Sequence, residues 1–387
     1  MKILYANPVF LDYRLPFYKE LNKLFKGSFH ILFSKERYKI LGREDLYERI
    51  IREMGSNAHP LTTDYLFDTN SMSFHMKDIE KGKHFPFTFG LLRKIRRIKP
   101  DIMITEGFFQ WTPLIIFYSI LFRIPVYLAY ERTQHTEKNA GKLKKFHRKL
   151  TDWFIKGYLV NGSETKKYLE SIGINSKKIH IGGMSADSEG LKEFLNSLNL
   201  DKIKTLKQNL TNNGLIYLFV GRVSELKGIN HLLKNWGEHI KDFPNDKILV
   251  IGGGNQLNYF KETYSKYNSI IFTGPVQYQE IALYYAVADV FILPTLIDNW
   301  SLVVPEAMAC GKPVATSIFN GCHPELVKKD VNGYVFDPFN NDSILKALDY
   351  FHHVDLEAFG KASIEIEKNF NTESCAKRVF KAVTCNI

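Results

Sequence analysis

Short apolar segments alternate with segments of helical periodicity along almost the whole 387-residue chain. In the first half the apolar segments are residues 3–6, 29–33, 101–105, 126–131, 157–161 and 179–182. The alternation pauses in the polar stretch 185–211 and then restarts, with apolar segments at 215–220, 247–251, 269–272, 290–293, 314–317 and 334–336. Strands that alternate with helices pair as parallel, doubly wound sheets. The sequence therefore predicts an α/β protein with two Rossmann-like units.

Three further elements follow from local patterns. The region 35–86 has weak periodicity, and within it a strand is predicted near 58–66, followed by a helix at 87–98. Ser163 is the expected N-cap of a helix that ends at Ile172. The last predicted helix covers 372–383 and is amphipathic.

The cysteines and the longest apolar run bear on where the protein works. The cysteines are Cys310, Cys322, Cys375 and Cys385. They include no Cys-x2-Cys pair, so the pattern favours a reducing cytoplasm over a zinc site or a disulfide framework. The segment at residues 1–8 is too short for the core of a signal peptide. Arg123 and Pro125 interrupt the apolar run 113–130, which predicts a helix and then a strand, not a membrane span.

The formal net charge of +11 is unevenly placed. Residues 1–185 contain 32 Lys and Arg against 18 Asp and Glu, whereas the remainder contains 20 against 23. A strongly basic half is typical of a protein that meets a polyanion, an anionic membrane surface or a phosphorylated lipid. A solvated basic face is the alternative and fits the same counts.

The stretch 294–314 combines a strand end, a loop and a helix start. Pro305 suits the first turn of a helix, and Glu306 lies in that turn, where the helix dipole favours an anion. Gly311 and Pro313 then end the helix. The loop is expected to bring backbone N–H groups to the same place as two carboxylates, those of Asp298 and Glu306. Such a place suits a phosphate flanked by hydroxyl groups.

This stretch resembles the Glu-x7-Glu signature of retaining glycosyltransferases with the GT-B fold, in particular glycosyltransferase family 4 (glycosyl transferases group 1). Asp298 replaces the first Glu of that signature. The resemblance implies that Asp298 contacts hydroxyls of the donor sugar and that Glu306 hydrogen-bonds the ribose of the nucleotide. It also implies that the diphosphate meets the backbone of Trp300, Ser301, Leu302 and Val303. A buried strand–turn–helix with two incidental acids is the alternative.

A second motif, GRVSELKG at 221–228, follows the first strand of the second unit. Gly221 permits a tight turn, Arg222 offers a planar fork for phosphate oxygens, and Lys227 offers a mobile point charge. Two cations placed there neutralise a departing diphosphate. The segment is similar to the Gly-Arg-x4-Lys-Gly element of family 4, whose Arg and Lys bind the donor diphosphate. A surface Arg and Lys are the alternative reading.

Two weaker features concern the nucleobase and a metal. The segment 274–278 occupies the position where family members bind the nucleobase, and the resemblance implies that Val276 covers the ring face; an ordinary strand-to-helix loop is the alternative. No Asp-x-Asp triplet occurs in the chain, which removes the usual carboxylate site for a divalent metal on a sugar nucleotide. The expectation is therefore metal-independent chemistry, in which Arg222 and Lys227 stand in for the metal.

The first unit is expected to bind the acceptor. Glu131 and His135 follow the carboxyl end of a strand, where α/β sheets build their sites. Glu131 is a candidate to accept a proton or to fix a hydroxyl, and His135 is a second candidate. Many family members place a His-Asp pair here, whereas this chain has Glu131-Arg132. Asn7 lies in the first loop, and Arg14 is a candidate phosphate contact. A surface carboxylate and a solvated imidazole are the alternatives.

Together these features predict a cytoplasmic, metal-independent, retaining glycosyltransferase with the GT-B fold. We expect an acceptor-binding unit at 1–185, a nucleotide-sugar-binding unit at 186–370, and a helix at 371–387 that crosses back to the first unit. The donor is expected to be a UDP- or GDP-linked sugar, with no cofactor. The acceptor is expected to be a saccharide or lipid-linked intermediate of capsule, lipopolysaccharide or exopolysaccharide biosynthesis, and nucleic acid is not an expected partner. A nucleotide-sugar epimerase or a phosphorylase on this fold, and a non-catalytic nucleotide-sugar-binding subunit, are the alternatives.

Two basic segments of the first half also contain aromatic residues, at 85–99 and 138–156. In the second segment, Phe146, Leu150, Trp153 and Phe154 keep to one face of a helix. The pattern predicts a peripheral, salt-releasable association with the cytoplasmic leaflet of a membrane. The alternative is that this face belongs to the core.

Overall fold

The structure of the protein, a computed structural model, describes residues 1–62 and 88–385. Its strands are β1 (Ile3–Ala6), β2 (Phe29–Ser34), β3 (Ala58–Leu61), β4 (Ile102–Glu106), β5 (Val126–Tyr130), β6 (Gly157–Val160), β7 (Ile179–Ile181), β8 (Ile216–Val220), β9 (Lys247–Ile251), β10 (Ile270–Gly274), β11 (Val290–Leu293), β12 (Val314–Ser317) and β13 (Gly333–Phe336). Its α-helices are α1 (Arg14–Leu24), α2 (Lys35–Ile40), α3 (Glu44–Met54), α4 (Phe89–Ile98), α5 (Thr112–Phe122), α6 (Lys142–Asp152), α7 (Ser163–Ser171), α8 (Ser188–Asn196), α9 (Leu200–Leu210), α10 (Ile229–Asp242), α11 (Leu257–Thr263), α12 (Tyr278–Val287), α13 (Val303–Ala309), α14 (His323–Leu326), α15 (Asn341–Tyr350), α16 (Leu356–Glu367) and α17 (Thr372–Thr384).

The strands form two sheets in which the described pairings are all parallel. The first sheet has the order β3-β2-β1-β4-β5-β6-β7, and the second has the order β10-β9-β8-β11-β12-β13. In each sheet the direction of strand addition reverses at the first strand of the unit, β1 or β8. Such a switch point is where open α/β sheets bind ligands. The predicted class, α/β with two Rossmann-like units, is confirmed.

The first sheet is covered on both faces. One face packs against α1, α3 and α17 through a core rich in aromatic side chains. The other face packs against α4, α5 and α7. Right-handed crossovers explain this division, because strands added on opposite sides of β1 place their helices on opposite faces. The ring of Phe380 in α17 lies 4.8 Å from that of Phe25, which directly follows α1, and this contact confirms that the last helix crosses back to the first unit.

The second sheet is buried in one continuous core. The polar stretch between the units is helical, and its helix α8 packs against α12 and α13 of the second unit. Leu191 of α8 is completely buried there. The passage between the units is therefore anchored on the second unit.

Side-chain caps explain where several helices begin. An amide or carboxylate oxygen accepts a backbone N–H bond in the first turn at Asn199, Asn340, Asp355 and Asn371. The start of α7 differs from the prediction, because Gly162 is the N-cap and Ser163 is the first helical residue. The Ser163 N–H donates to Glu325 Oε1 at 2.5 Å, so a carboxylate from the second unit takes the capping role that was assigned to Ser163.

The boundaries near the undescribed segment agree only in part with the prediction. The strand predicted near 58–66 is β3 (Ala58–Leu61), and residues 63–66 lie outside the described residues. The helix predicted at 87–98 is α4 (Phe89–Ile98), and residue 87 lies outside them as well. The same holds for residues 85–87 of the first basic segment.

Candidate active site

The loops after β5 and β11 meet between the two units. His135 Nε2 lies 2.9 Å from the backbone oxygen of Leu296, and its ring stacks on Phe319 with centroids 4.4 Å apart. Thus His135, an expected acceptor-side residue, contacts the second unit directly. The carboxyl ends of the two sheets consequently face a shared cleft, as expected for loops that follow parallel strands.

The cation-bearing loop 221–228 is fixed by close backbone packing. A Cβ on Gly228, whose φ is +66°, would stand 2.0 Å from the backbone oxygen of Pro294. A Cβ on Gly252 would stand equally close to the oxygen of Gly221. The N–H of Leu296 also donates to the oxygen of Leu226 at 2.9 Å. Glycine is therefore required where this loop touches its two neighbours.

Lys227 and Asp298, which are 71 residues apart in the chain, form an ion pair in the cleft. The Ser301 hydroxyl donates to the same oxygen, Asp298 Oδ2, and the Trp300 N–H donates to Asp298 Oδ1 at 3.2 Å. The Lys227 and Asp298 side chains keep 27% and 14% of their surface exposed. The cation proposed for the diphosphate and the acid proposed for the sugar are thus in direct contact.

The backbone proposed for the diphosphate lies beside this ion pair. The Ser301 N–H donates to the side-chain oxygen of Asn320 at 3.3 Å. Within residues 1–62 and 88–385, the N–H groups of Leu302 and Val303 have no hydrogen-bond partner. Leu302 is the N-cap of α13, and Val303 is its first residue. These two N–H groups are therefore free to donate to a ligand.

Glu306 is nearly buried, with 9% of its surface exposed, and it has different neighbours from Asp298. The hydroxyl of Tyr285 donates to Glu306 Oε2 at 3.5 Å. Burial, reinforced by the negative charge of Asp187, raises the pKa of the Glu306 carboxyl to about 8, while the Tyr285 hydrogen bond opposes the shift. The two carboxylates of the 294–314 stretch therefore serve separate parts of the cleft.

A carboxylate–guanidinium cluster lies in the first unit, among the residues expected to face the acceptor. Arg14 is 3% exposed, and its guanidinium donates to Glu131, to Glu106 Oε1 at 3.5 Å and to the backbone oxygen of Gly183 at 3.2 Å. The side chain of Asn7 donates to the other oxygen of Glu106. In this structure Arg14 thus holds the carboxylates of the first unit in place, and its role as a phosphate contact stays a prediction.

Glu131, the expected partner of an acceptor hydroxyl, is bonded to Arg14 and is partly exposed. A quarter of its side-chain surface is exposed. Burial raises the pKa of its carboxyl to about 7, Arg14 opposes that rise, and the negative charges of Glu106 and Asp298 add to it. Because the charge of Asp298 raises the pKa of Glu131, the two carboxylates belong to one electrostatic site. A carboxyl that titrates near neutral pH is suited to proton transfer.

Sequence reasoning missed Glu106. It ends β4, which pairs directly with β1, and β1 leads into Asn7. Because carboxyl ends of adjacent parallel strands meet at one edge of a sheet, an acid ending β4 was a candidate for this site. The prediction also missed Tyr285 as a partner of Glu306, since that residue belongs to a different helix, α12.

Val276 and Gly221 lie in the loops that the sequence predicted for them. Val276 is half-buried in the loop between β10 and α12, next to a capping box formed by Gln277 and Glu280. Gly221 directly follows β8, and its N–H donates to the backbone oxygen of Ile251 at 3.0 Å. Their roles with the nucleobase and the diphosphate stay predictions.

The two units also pack together beside the ion pair. A Cβ on Gly162 would stand 2.6 Å from Trp300 Cζ3 and 2.8 Å from Glu325 Oε2. Trp300 is 5% exposed. The side chain of Trp300 is therefore an inter-unit contact, while its backbone N–H supports Asp298. Packing between the units and the geometry of the loop around Asp298 are thus linked through one residue.

One cluster among the described residues has a composition that suits a metal, and it lies away from this cleft. His239 Nε2 and His352 Nε2 are each 2.8 Å from Asp246 Oδ2. Asp246 directly precedes β9, and its Oδ1 accepts the N–H of Leu215, which directly precedes β8. The cluster thus sits at the amino ends of strands whose carboxyl ends carry the candidate site.

Residues 201–364 match the family model described as Glycosyl transferases group 1. Alpha-monoglucosyldiacylglycerol synthase of Acholeplasma laidlawii is 26% identical over 307 residues, which is 75% of this chain and 75% of that protein. Sulfoquinovosyl transferase SQD2 of Arabidopsis thaliana is 22% identical over 361 residues, 86% of this chain and 67% of that protein. The uncharacterized glycosyltransferase MJ1607 of Methanocaldococcus jannaschii is 33% identical over 135 residues, so the match spans only 34% of its length.

Solved structures resemble the whole chain. HepE of Anabaena in complex with UDP has a TM-score of 0.73 at 15% identity and covers 100% of both chains. The apo form of the lipopolysaccharide outer core galactosyltransferase WaaB has a TM-score of 0.68 at 12% identity, again over 100% of both chains. At these identities the likeness shows the fold. Among the described residues, no helix has the length and apolar character needed to cross a bilayer.

Proposed function

We propose that the chain is a glycosyltransferase that uses a nucleotide-diphosphate sugar and retains the anomeric configuration. The match of residues 201–364 to the Glycosyl transferases group 1 model supports this proposal. The observation that carries the proposal is the ion pair of Lys227 with Asp298 at the cleft between the units. A cation and a carboxylate in contact suit the two halves of such a donor, its diphosphate and its sugar hydroxyls.

The reaction breaks the bond between the anomeric carbon and the diphosphate and forms a bond from that carbon to an acceptor oxygen. Arg222 and Lys227 stabilise the negative charge that develops on the departing diphosphate, without a metal. The free N–H groups of Leu302 and Val303 donate to the same phosphates. Asp298 exchanges its bond with Lys227 for sugar hydroxyls when the donor binds.

Glu306 and Val276 hold the nucleoside in this proposal. The buried Glu306 carboxylate accepts hydrogen bonds from the ribose, and its raised pKa makes ionisation depend on those donors. Val276 covers the base. A UDP-linked donor is supported by the likeness to HepE, which was solved in complex with UDP and in complex with UDP and glucose. A GDP-linked donor is the other candidate.

The acceptor is proposed to lie against the first unit. Glu131 receives or orients the proton of the attacking hydroxyl. Arg14, which also donates to Glu106, holds the Glu131 carboxylate in place. His135 borders the same space. Two relatives are named as a glucosyldiacylglycerol synthase and a sulfoquinovosyl transferase, which supports a lipid or lipid-linked acceptor at the cytoplasmic leaflet. A saccharide of a cell-surface polysaccharide is the second acceptor class, supported by the WaaB likeness.

The test is a thermal-shift screen of UDP-, GDP- and ADP-linked sugars, followed by mass spectrometry of products formed with lipid and saccharide acceptors. We expect one donor class to raise the melting temperature by several degrees and a glycoside to form only when an acceptor is present. A converted sugar nucleotide without an acceptor would identify an epimerase. Donor binding with no turnover on any acceptor would identify a non-catalytic subunit.

A further inference from the structure

An apolar surface on the first unit is exposed, although its side chains are of types that usually form a core. Of the nineteen exposed large hydrophobic residues among those described, ten lie between residues 109 and 154. Leu143 is 81% exposed, Trp153 is 75% exposed and Leu121 is 63% exposed. We call this surface the α5–α6 face, formed by Phe117, Ile120, Leu121, Phe122, Leu143, Phe146, Leu150, Trp153 and Phe154.

The helices α5 and α6 lie side by side on one face of the first sheet. They follow β4 and β5, which are adjacent strands, and right-handed crossovers place both helices on the same side. The ring of Phe109, just before α5, stacks on His147 of α6 with centroids 5.1 Å apart and planes 6° apart. Ile115 and Tyr118 of α5 are buried towards the sheet, so the exposed residues form an outer row. The alternative that this face belongs to the core is therefore wrong.

Cations surround the apolar row. Those that are exposed and have no ion pair with any described residue include Arg93, Arg96, Arg97, Arg123, Lys142, Lys145, Lys149 and Lys156. Helices α4, α5 and α6 contain a single acid, Asp152, which pairs with Lys178 at 3.0 Å. Apolar side chains flanked by unpaired bases match the two forces that hold a protein on an anionic bilayer.

A groove beside α6 adds a place for a headgroup. It has a volume of about 370 Å³ and is lined by Lys145, Phe146, Lys149, Ser171, Ile172 and Gly173. Two ammonium groups and an aromatic ring line it together. A phosphate accepts hydrogen bonds from lysine ammonium groups, while the ring remains at the level of the acyl chains.

We infer that the α5–α6 face docks on an anionic lipid leaflet. Charge complementarity selects this occupant, because a second copy of the same face would bring two sets of unpaired cations together. The inference rests on the proposed function, because docking would give the protein access to a lipid or lipid-linked acceptor in that leaflet. It also deepens that function by naming the surface that meets the lipid.

The docking face and the acceptor side are connected through α6. Arg148, on the inner side of α6, donates to Glu137 at 3.0 Å, and both side chains are only 2% exposed. Glu137 belongs to the loop that carries Glu131 and His135. The helix whose outer side meets the lipid thus holds the acceptor loop with its inner side. Docking therefore brings that loop to the membrane surface.

The test is flotation of the full chain with phosphatidylcholine vesicles and with vesicles containing phosphatidylglycerol, at low and high salt. We expect binding to the anionic vesicles at low salt and release at high salt. The triple change Lys142→Ala, Lys145→Ala and Lys149→Ala should lower the partition coefficient about 100-fold. The pair Leu143→Ser and Trp153→Ser should lower it about 10-fold or more.

The matched control is α9 of the second unit, with Leu200→Ser, Lys202→Ala and Lys204→Ala, because Leu200 is 79% exposed. This variant should bind vesicles as the wild type does. Equal losses in the control and face variants, or no wild-type binding to anionic vesicles at low salt, would overturn the inference. The inference would also be overturned if light scattering showed that the wild type is a dimer and that the face variants are monomers. Nucleotide-induced thermal shifts should be unchanged in every variant, so a failure of the donor hypothesis appears separately.

Discussion

The two units carry their chemistry in different ways. In the second unit, Lys227, Asp298 and Glu306 lie in loops and a helix that directly follow single strands, and their spacing is visible in the sequence. In the first unit, Asn7, Arg14, Glu106 and Glu131 come from separate segments that only the sheet order brings together. Residues that lie within one short loop can therefore be grouped from the sequence, whereas residues assembled across strands cannot.

The units also differ in what they leave exposed. The first unit is strongly basic and presents the α5–α6 face, while the second is close to neutral by residue count. A basic, partly apolar unit is suited to binding an anionic membrane surface. A nearly neutral unit is suited to binding a small donor that diffuses in solution. Substitutions in the second unit should therefore impair use of the donor, and substitutions in the first unit should impair use of the acceptor.

The largest effect is expected from the cations of the second unit. Arg222→Ala and Lys227→Ala should each lower kcat about 10²- to 10³-fold, because charge on the departing diphosphate loses a stabilising group. Steady-state kinetics with the identified donor measures this, and circular dichroism should show an unchanged fold. Lys234→Ala, an exposed change on α10, is the matched control. Activity that survives both changes and needs Mg²⁺ or Mn²⁺ would contradict the prediction.

On the acceptor side, Glu131→Gln should lower kcat/KM about 100-fold near pH 8. The pKa of Glu131 is raised to about 7, so the ionised form that receives a proton increases between pH 6 and 8. The wild-type profile should therefore rise with pH through about 7, and the variant should lack that limb. If the variant still showed the rise in activity through about pH 7, the titrating group would be a residue other than Glu131.

Donor roles divide between Glu306 and Asp298. Glu306→Gln should weaken binding of the bare nucleoside diphosphate about 10-fold, because a charge-assisted bond to the ribose is lost. Asp298→Asn should leave that affinity unchanged and impair only turnover of the sugar donor. Isothermal titration with nucleoside diphosphate and kinetics with the full donor distinguish the two. Equal behaviour of the variants in both assays would refute the division.

The smallest effect concerns stability. The pKa of Glu306 is raised to about 8 in the folded chain, above the value of about 4.5 it has when unfolded. The folded state then binds the extra proton, so this group destabilises the fold as pH rises through that interval. Glu306→Gln should raise the melting temperature by several degrees at pH 9, with no difference near pH 4. Calorimetry without nucleotide is the measurement, and a difference independent of pH would count against it.

Several features were predictable because they depend on local order in the chain. The alternation of apolar and amphipathic segments predicted both parallel sheets, and the 221–228 and 294–314 motifs predicted loops that the structure places against each other. The prediction for Ser163 was wrong because its helix is capped by Glu325, which lies 162 residues away. Glu106 was missed for a similar reason, since its partners Asn7 and Arg14 are distant in sequence.

The sequence by itself determined the fold class, the alternation of strands and helices, and the loops at 221–228 and 294–314, because hydrophobic periodicity and turn chemistry act over a few residues. Only the tertiary structure decided which charges meet. Lys227 pairs with Asp298, and Arg14 pairs with Glu131. Glu306 is instead nearly buried beside the hydroxyl of Tyr285. The tertiary structure also decided that Trp153 and its neighbours are exposed, since helical periodicity shows that a face is apolar but not whether another element covers it.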